Sequence, residues 1–406
     1  MRLLFAHDHR FLRGNNGELF TPGHLPASTW DRFLEEFDDV HVLARDGGRL
    51  PDGARFARAD HAGVTFDFLP SLSSVRGLLL RPRELDRRMA AAVRDADAVV
   101  ARLPSEIGLL AIKHARQLSK PYAVEVVGCA WDGCFHHGAV GARLYAPVAF
   151  LRTRRAIGAA PSVLYVTSSW LQRRYPTNGH SIAASNVSLE PIDALGIARR
   201  ERRLAELARG KRPVLGTIAS LRVKYKGLQT AFSALSRLRA SGMDLTYRIL
   251  GPGPAEPWIS LARQLGVEDL VTFDGTRSAG QSVYEWLDGI DIYLQPSFTE
   301  ALPRALVEAM SRGAASIGST RGGIPELLPS ERLHVPGDID RLADLIRQLV
   351  ENPAAIAAVS RADRETAKQF DPRTLMQRRR QFYRRLKEEA EEQRSSRPVS
   401  PNSVEE

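Results

Sequence analysis

The sequence predicts an α/β protein built from two domains, each a doubly wound parallel sheet. Short apolar strand-like runs alternate with helical patterns along most of the chain, which is the signature of βαβ units. The alternation breaks near residue 188 and restarts after Lys211, Arg212 and Pro213. The length of 406 residues also exceeds what one compact core ordinarily holds. These observations place one domain over 1–188 and a second over 189–370.

In the first domain, strands are expected at 2–7, 40–44, 65–69, 98–102, 122–127 and 163–167. Helical patterns fall between them at 30–37, 84–94 and 107–118. Residues 10–25 read as a polar, glycine-bearing loop after the first strand. In such sheets ligands bind at the carboxyl ends of strands, so this loop is placed to touch a substrate. A charged helix over 198–209 leads into the second domain. There, strands are expected at 213–219, 246–250, 271–273, 290–294 and 315–318, with helices at 227–241, 257–265, 282–287 and 304–311. Further helices follow at 340–350, 353–370 and 375–392. The tail 393–406, rich in Ser, Pro and acid, is expected to be disordered.

Composition narrows the class. Hydrophobic content of 43% and charged content of 26% are those of a soluble globular protein. Two cysteines give no disulfide framework and suit a reducing compartment. No apolar run approaches the ~18 residues a membrane span needs. The stretch from Met1 to Asp8 meets charge too early for a signal peptide, so it reads as a first strand and the expected location is cytoplasmic.

The net charge of +10 is unevenly placed. Between Asp132 and Glu190 there is no acidic residue, yet Arg143, Arg152, Arg154, Arg155, Arg173 and Arg174 all lie there. Apolar residues 144–151 run directly into the cluster Arg152–Arg155. That combination suits peripheral contact with an anionic membrane through Arg143, Arg152, Arg154 and Arg155, at about 1 kcal/mol per basic residue near the surface. A plain solvated basic face is the alternative. Nucleic acid is disfavoured, because no helix-turn-helix, zinc-finger or aromatic–glycine signature accompanies the charge.

The densest chemistry lies in the second domain's loops. Arg222, Lys224 and Lys226 stand between a strand and a helix, where backbone N–H groups and the helix dipole favour an anion. Gly251 and Gly253 form a turn after the next strand that is not a dinucleotide fingerprint. Gly322 and Gly323 allow close backbone approach near a third strand. The run from Gln295 to Met310 reads as strand, loop and helix. It puts Glu300 at the helix mouth and Glu308 inside, with Pro303 expected as the first helical residue. Lys226 and Arg222 would neutralise a pyrophosphate, with Ala301 and Leu302 at the helix mouth against it. Glu308 would accept a ribose diol and Glu300 the hydroxyls of a sugar. An ordinary βα unit with surface glutamates is the bland alternative.

The run Pro296, Ser297, Phe298, Thr299, Glu300 to Glu308 and on to Gly313, followed by Gly322-Gly323-Ile324-Pro325-Glu326, resembles the Glu-x7-Glu signature of family-4 retaining glycosyltransferases. Tyr225-Lys226-Gly227 and Gly251-Pro252-Gly253 match that family's phosphate-binding and glycine-turn elements in order and spacing. The match is specific over about 213–328 and looser before it. The resemblance implies a GT-B architecture: two facing Rossmann-like domains with a central cleft, donor in the second and acceptor in the first. It further implies a C-terminal helix, 371–392, that crosses back onto the first domain, and no cofactor or essential metal. The donor would be a nucleotide-diphosphate sugar, held by Lys226, Arg222, Gly251, Gly253, Ser297, Glu300, Ala301, Leu302 and Glu308. Of these, Glu300, Lys226 and Arg222 would serve catalysis. The implied activity is hexosyl transfer to a glycan or lipid-linked acceptor, in the synthesis of cell-surface polysaccharide or glycolipid.

The chain departs from the family where Ala301, Leu302, Pro303 and Arg304 replace a glycine-rich turn after the first glutamate. The family's N-terminal Gly-Gly loop has its nearest counterpart in Asn15, Asn16 and Gly17, so Asn16 and Gly17 are candidate acceptor contacts. Trp131 and Asp132 join them, offering an aromatic face and a carboxylate to a sugar. Cys129, Cys134, His136 and His137 have metal-ligand chemistry but no second pair at finger spacing. They read as acceptor-loop residues, with structural zinc the weaker alternative. Asp95 and Asp97 mimic a metal-binding pair but precede a strand far from the donor loops, which favours capping. Two functional alternatives stay open: a nucleotide-sugar epimerase of the same fold, and a non-catalytic sugar- or polyanion-binding protein.

Overall fold

The computed structural model describes residues 1–406 except 23–24, 52–55, 70–81, 137–138, 188, 191 and 397–406. Most of the expected disordered tail therefore lies outside the described residues. The chain divides into two compact units. The first comprises Met1–Val166, Leu171–Ala184 and Met376–Glu406, and the second Thr167–Trp170 and Ser185–Leu375. The boundary thus falls a few residues before 188. Thr167–Trp170 go with the second unit because Glu326 accepts hydrogen bonds from the backbone of Ser168 at 2.6 Å and Ser169 at 3.0 Å.

The first unit's sheet contains nine strands among the described residues. They are β1 (Arg2–Arg13), β2 (Leu19–Thr21), β3 (Asp39–Arg49), β4 (Ala57–Arg58), β5 (Val64–Leu69), β6 (Ala98–Leu103), β7 (Tyr122–Val126), β8 (Ser162–Tyr165) and β9 (His180–Ala183). The parallel order is β5-β3-β1-β6-β7-β8-β9, with β2 and β4 joined antiparallel at the far end of β1. Leu3, Leu4, Phe5 and Ala6 are all fully buried, the continuous apolar run of a strand covered on both faces. The loop expected at 10–25 is corrected here. β1 continues to Arg13, where Leu12 pairs with Phe20, because buried Phe11 packs on Trp30 and Phe66 and holds the strand extended.

The helix Pro372–Ser395 belongs to the first unit from Met376 onward. Tyr383 packs on Phe33 with ring centroids 4.7 Å apart, and its hydroxyl donates to Glu125. Glu125 of β7 is a register partner of Arg102 in β6 and is fully buried. Arg32 lies 3.3 Å from its Oε1 and Arg102 3.4 Å from its Oε2. Burial by itself pushes this carboxyl up. Arg32, Arg102 and Arg379, with the Tyr383 hydroxyl, outweigh that and hold it at about 2.

The second unit has a six-stranded parallel sheet among the described residues, in the order β12-β11-β10-β13-β14-β15. These are β10 (Leu215–Ile218), β11 (Tyr247–Leu250), β12 (Val271–Phe273), β13 (Ile292–Gln295), β14 (Ala315–Ser319) and β15 (Leu333–His334). Leu228, Phe232, Leu235 and Leu238 of the helix Leu228–Ala240 pack against Leu215, Tyr247 and Ile249. Arg200, buried in the helix Ala194–Ala208, donates to the carbonyls of Ile290, Arg312 and Leu287, tying that helix to the entry of β13. The strand order reverses between β10 and β13. In open sheets that reversal opens a crevice at the carboxyl ends of the two strands.

Replacing Glu125 by Ala would leave Arg32, Arg102 and Arg379 buried without their counter-charge. The expected cost is about 3–5 kcal/mol, read as a lower urea midpoint for the first unit at neutral pH. An unchanged midpoint would show that these guanidinium groups are already satisfied by solvent.

Candidate active site

The loops following β10 and β13 meet at the reversal point. The first closes as a short 3-10 turn, Lys224–Lys226, and Gly227 then enters the helix Leu228–Ala240 at φ 80°. A Cβ at Gly227 would lie 2.0 Å from the Pro296 carbonyl oxygen, so only glycine lets the loops approach this closely. The Phe298 amide then donates to the Tyr225 carbonyl at 2.7 Å. From β14, Ser319 Oγ donates to the Ser297 carbonyl. Behind both loops Gly322 stands at φ 60°, where a Cβ would fall 1.7 Å from the Glu300 carbonyl oxygen.

Glu300 is the convergence point. Its Oε1 accepts hydrogen bonds from Lys226 Nζ at 2.6 Å, Gln295 Nε2 at 3.0 Å and Ser297 Oγ at 3.0 Å. Its Oε2 accepts none from the described residues. The donors are themselves aligned. Gln295 Nε2 also donates to Ser297 Oγ at 2.8 Å, and its Oε1 faces the Tyr293 hydroxyl at 3.4 Å. That hydroxyl accepts from the Ile218 amide at 3.1 Å, joining the ends of β10 and β13. One carboxylate oxygen is thereby bound by three donors while the other accepts none from the described residues. Lys226 spends one of three N–H groups on Glu300.

Glu308 has the opposite environment. It lies on the helix Arg304–Ser311, whose Leu306, Val307, Ala309 and Met310 are buried, and its carboxylate has no hydrogen-bond partner among the described residues. Burial pushes its pKa up, with Arg304 pulling the other way. Tyr293 feels both Glu308 and Glu300, which places the two carboxylates around one buried tyrosine. Pro303 is not the first helical residue. It caps the helix in an extended conformation at ψ 101°, and Arg304 begins the helix.

The remaining donor candidates surround this centre. Arg222 is exposed, and its guanidinium pairs with no carboxylate among the described residues. A Cβ at Gly253 would sit 3.0 Å from the Arg222 backbone nitrogen, and the Leu221 amide donates to the Pro252 carbonyl at 2.8 Å. Gly251, Gly253 and Arg222 thus share one corner beside β10 and β11. The Ala301 carbonyl accepts from the Gly323 amide at 2.7 Å, and Leu302 packs on the same glycine.

The acceptor candidates lie in the first unit. Asn16 and Gly17 form the exposed turn between β1 and β2. Trp131 and Asp132 are on the short helix Ala130–Phe135. Trp131 stacks on Phe135 with centroids 6.3 Å apart, while Asp132 stands 3.7 Å from Arg174. Cys129 Sγ contacts the Tyr175 hydroxyl at 3.2 Å and Arg174 Nε at 2.9 Å, and burial pushes its thiol up. Asp97 accepts from the Arg2 amide at 2.8 Å, a structural use of that carboxylate.

Residues 212–352, which contain every one of these donor loops, match the family described as Glycosyl transferases group 1. Protein CapJ of Staphylococcus aureus is 29% identical over 353 residues, covering 86% of this chain and 86% of its own. WcaL of Salmonella typhimurium, named as a colanic acid biosynthesis glycosyltransferase, is 31% identical over 162 residues, 37% of this chain and 40% of its own. The solved structure of HepE from Anabaena, in complex with UDP-glucose, aligns at a TM-score of 0.61 and 18% identity, covering 98% of this chain and 100% of that one. The fold is GT-B, with a parallel-sheet domain in each unit.

Within residues 212–352, sequence reasoning missed Gln295 and Tyr293. Each is a buried polar residue on β13, and a glutamine closing an otherwise apolar strand was the available signal. The raised carboxyl of Glu308 has a consequence for stability. A carboxyl raised on folding stabilises fully below its unfolded pKa, and that contribution is lost as pH rises through the folded value. Glu308→Gln therefore raises the melting temperature of the ligand-free protein at pH 7, and the gain shrinks as pH falls below the carboxylate range. A lower melting temperature at pH 7 would show that the charge is stabilised by contacts the structure lacks.

Proposed function

We propose that the protein is a retaining glycosyltransferase that moves a hexose from a nucleotide-diphosphate sugar to a glycan or lipid-linked acceptor. The observation that supports this best is the asymmetric Glu300 carboxylate, with Oε1 bound by three donors and Oε2 open. An oxygen held in this way accepts a hydroxyl of the donor sugar, at about 1.5–3 kcal/mol for a charge-assisted bond. Lys226 has two N–H groups left for phosphate oxygens, and the unpaired Arg222 adds a second cation. Glu308, desolvated and unpartnered, gains most from two ribose hydroxyls. Ser297 holds Glu300 in place, and Gly251, Gly253, Ala301 and Leu302 present backbone rather than side chain to the donor. HepE, of the same fold, is solved in complex with UDP-glucose, which supports a nucleotide-sugar here.

Transfer breaks the bond between the anomeric carbon and the diphosphate oxygen, and forms the bond to the acceptor oxygen on the same face. Lys226 and Arg222 stabilise the negative charge that grows on the leaving diphosphate. The acceptor's proton passes to that diphosphate. No metal is required in this scheme, because the two cations take the role of neutralising the phosphates. Asn16, Gly17, Trp131 and Asp132 are proposed to meet the acceptor. The relation to WcaL, named for colanic acid biosynthesis, supports a role in polysaccharide synthesis. It tells against the epimerase alternative.

Lys226→Ala and Glu300→Gln should each lower kcat/KM for transfer at least tenfold, or about 1.4 kcal/mol. Full activity in either variant would refute the assignment and favour a binding protein. A screen of nucleotide-sugars by thermal shift identifies the donor, since a bound ligand stabilises the fold by mass action. Donor incubated alone should hydrolyse slowly; rapid isomerisation would instead establish the epimerase.

A further inference from the structure

The helix Val140–Gly158 is apolar on two faces. Ala146, Ala149, Thr153 and Ile157 are buried, recurring at the spacing of one helical stripe. The opposite side carries Val140, Leu144, Val148 and Leu151, which are 71%, 77%, 48% and 49% exposed. Phe135 and Tyr145 lie beside them. Six of the eleven exposed large hydrophobics among the described residues therefore fall between Phe135 and Leu151, so they form a patch and not a scatter.

The patch has a basic rim. Arg143, Arg154 and Arg155 are exposed around it. Arg143 lies over the Phe135 ring at 5.7 Å, and Arg154 donates only to the Arg174 carbonyl, so both keep a net charge. Arg152 differs, because Glu106 binds it through both oxygens, at 3.0 Å and 2.9 Å. The sequence grouped all four arginines as equals; tertiary pairing removes Arg152 from the set. With no acidic residue between Asp132 and Glu190, nothing on this helix opposes the remaining cations. A bilayer offers apolar depth beneath a sheet of phosphates, which complements apolar residues ringed by unopposed cations.

We propose that this outer face docks on an anionic lipid bilayer, with Leu144, Val148 and Leu151 entering below the headgroups and Arg143, Arg154 and Arg155 held by lipid phosphates. The inference goes beyond the transfer reading, and docking is measured with neither donor nor acceptor present. It is tested by flotation of the full chain with phosphatidylcholine vesicles, with and without about 30% phosphatidylglycerol. The protein should float with the anionic vesicles and stay behind with the neutral ones, and salt should weaken the binding. Leu144→Asp with Val148→Asp should cut the bound fraction at least tenfold, and Arg143→Glu with Arg155→Glu should do so too. All four positions are exposed, so circular dichroism and the donor's thermal shift should match wild type.

Equal flotation with both lipids, or flotation indifferent to these substitutions, overturns the proposal. So does a dimer that Leu144→Asp abolishes in sedimentation while no vesicle is bound, which would make the face an interface between copies.

Discussion

The candidate site is built around one ion pair. Lys226 and Glu300 are 74 residues apart in the chain and join the loops after β10 and β13 at 2.6 Å. Each loop is a turn between a strand and a helix, and the Phe298 amide bonded to the Tyr225 carbonyl also joins them. Bound together, the pair sets a cation and a carboxylate side by side at the carboxyl edge of the sheet. Behind it the chain Ile218, Tyr293, Gln295, Ser297 hands orientation from the strands outward, each group both donating and accepting. Such a site is preorganised by the rigid sheet and not by the loops that display it.

Three glutamates show how environment assigns a role to one side chain. Glu125 is buried among guanidinium groups and stays ionised to about 2, serving to hold the C-terminal helix on the first unit's sheet. Glu300 is bound on one oxygen and open on the other. Glu308 is desolvated without a partner, and its carboxyl is raised. The first carboxylate serves structure, the second is bound by the protein on one oxygen, and the third has no hydrogen-bond partner among the described residues. A half-buried carboxylate without a partner is costly to the fold.

The sequence by itself determined the parallel strands, because apolar runs of four to six residues between helical patterns admit few other folds. It also singled out Glu300, Glu308 and Lys226 as candidates, since loops at strand ends with glycines nearby are where ligands ordinarily bind. Short structure escaped it. β2, β4, β9 and β15 have two to four residues each, too few for a periodicity; β2 forms by pairing with β1, and β4 by pairing with β2. The helix Val140–Gly158 escaped for a different reason: apolar residues on two faces blur the period that marks an amphipathic helix.

What only the tertiary structure decided was which charges are already taken. Sequence shows Arg143, Arg152, Arg154 and Arg155 as one cluster, yet Glu106, 46 residues before Arg152, neutralises that arginine alone. It shows Arg222 and Lys226 as equal cations, yet Lys226 is tied to Glu300 and Arg222 is not. It gives no sign that Gln295 aligns the site. Pairing of this kind is long-range, set by which strand ends adjoin in the sheet, and local pattern carries no record of it.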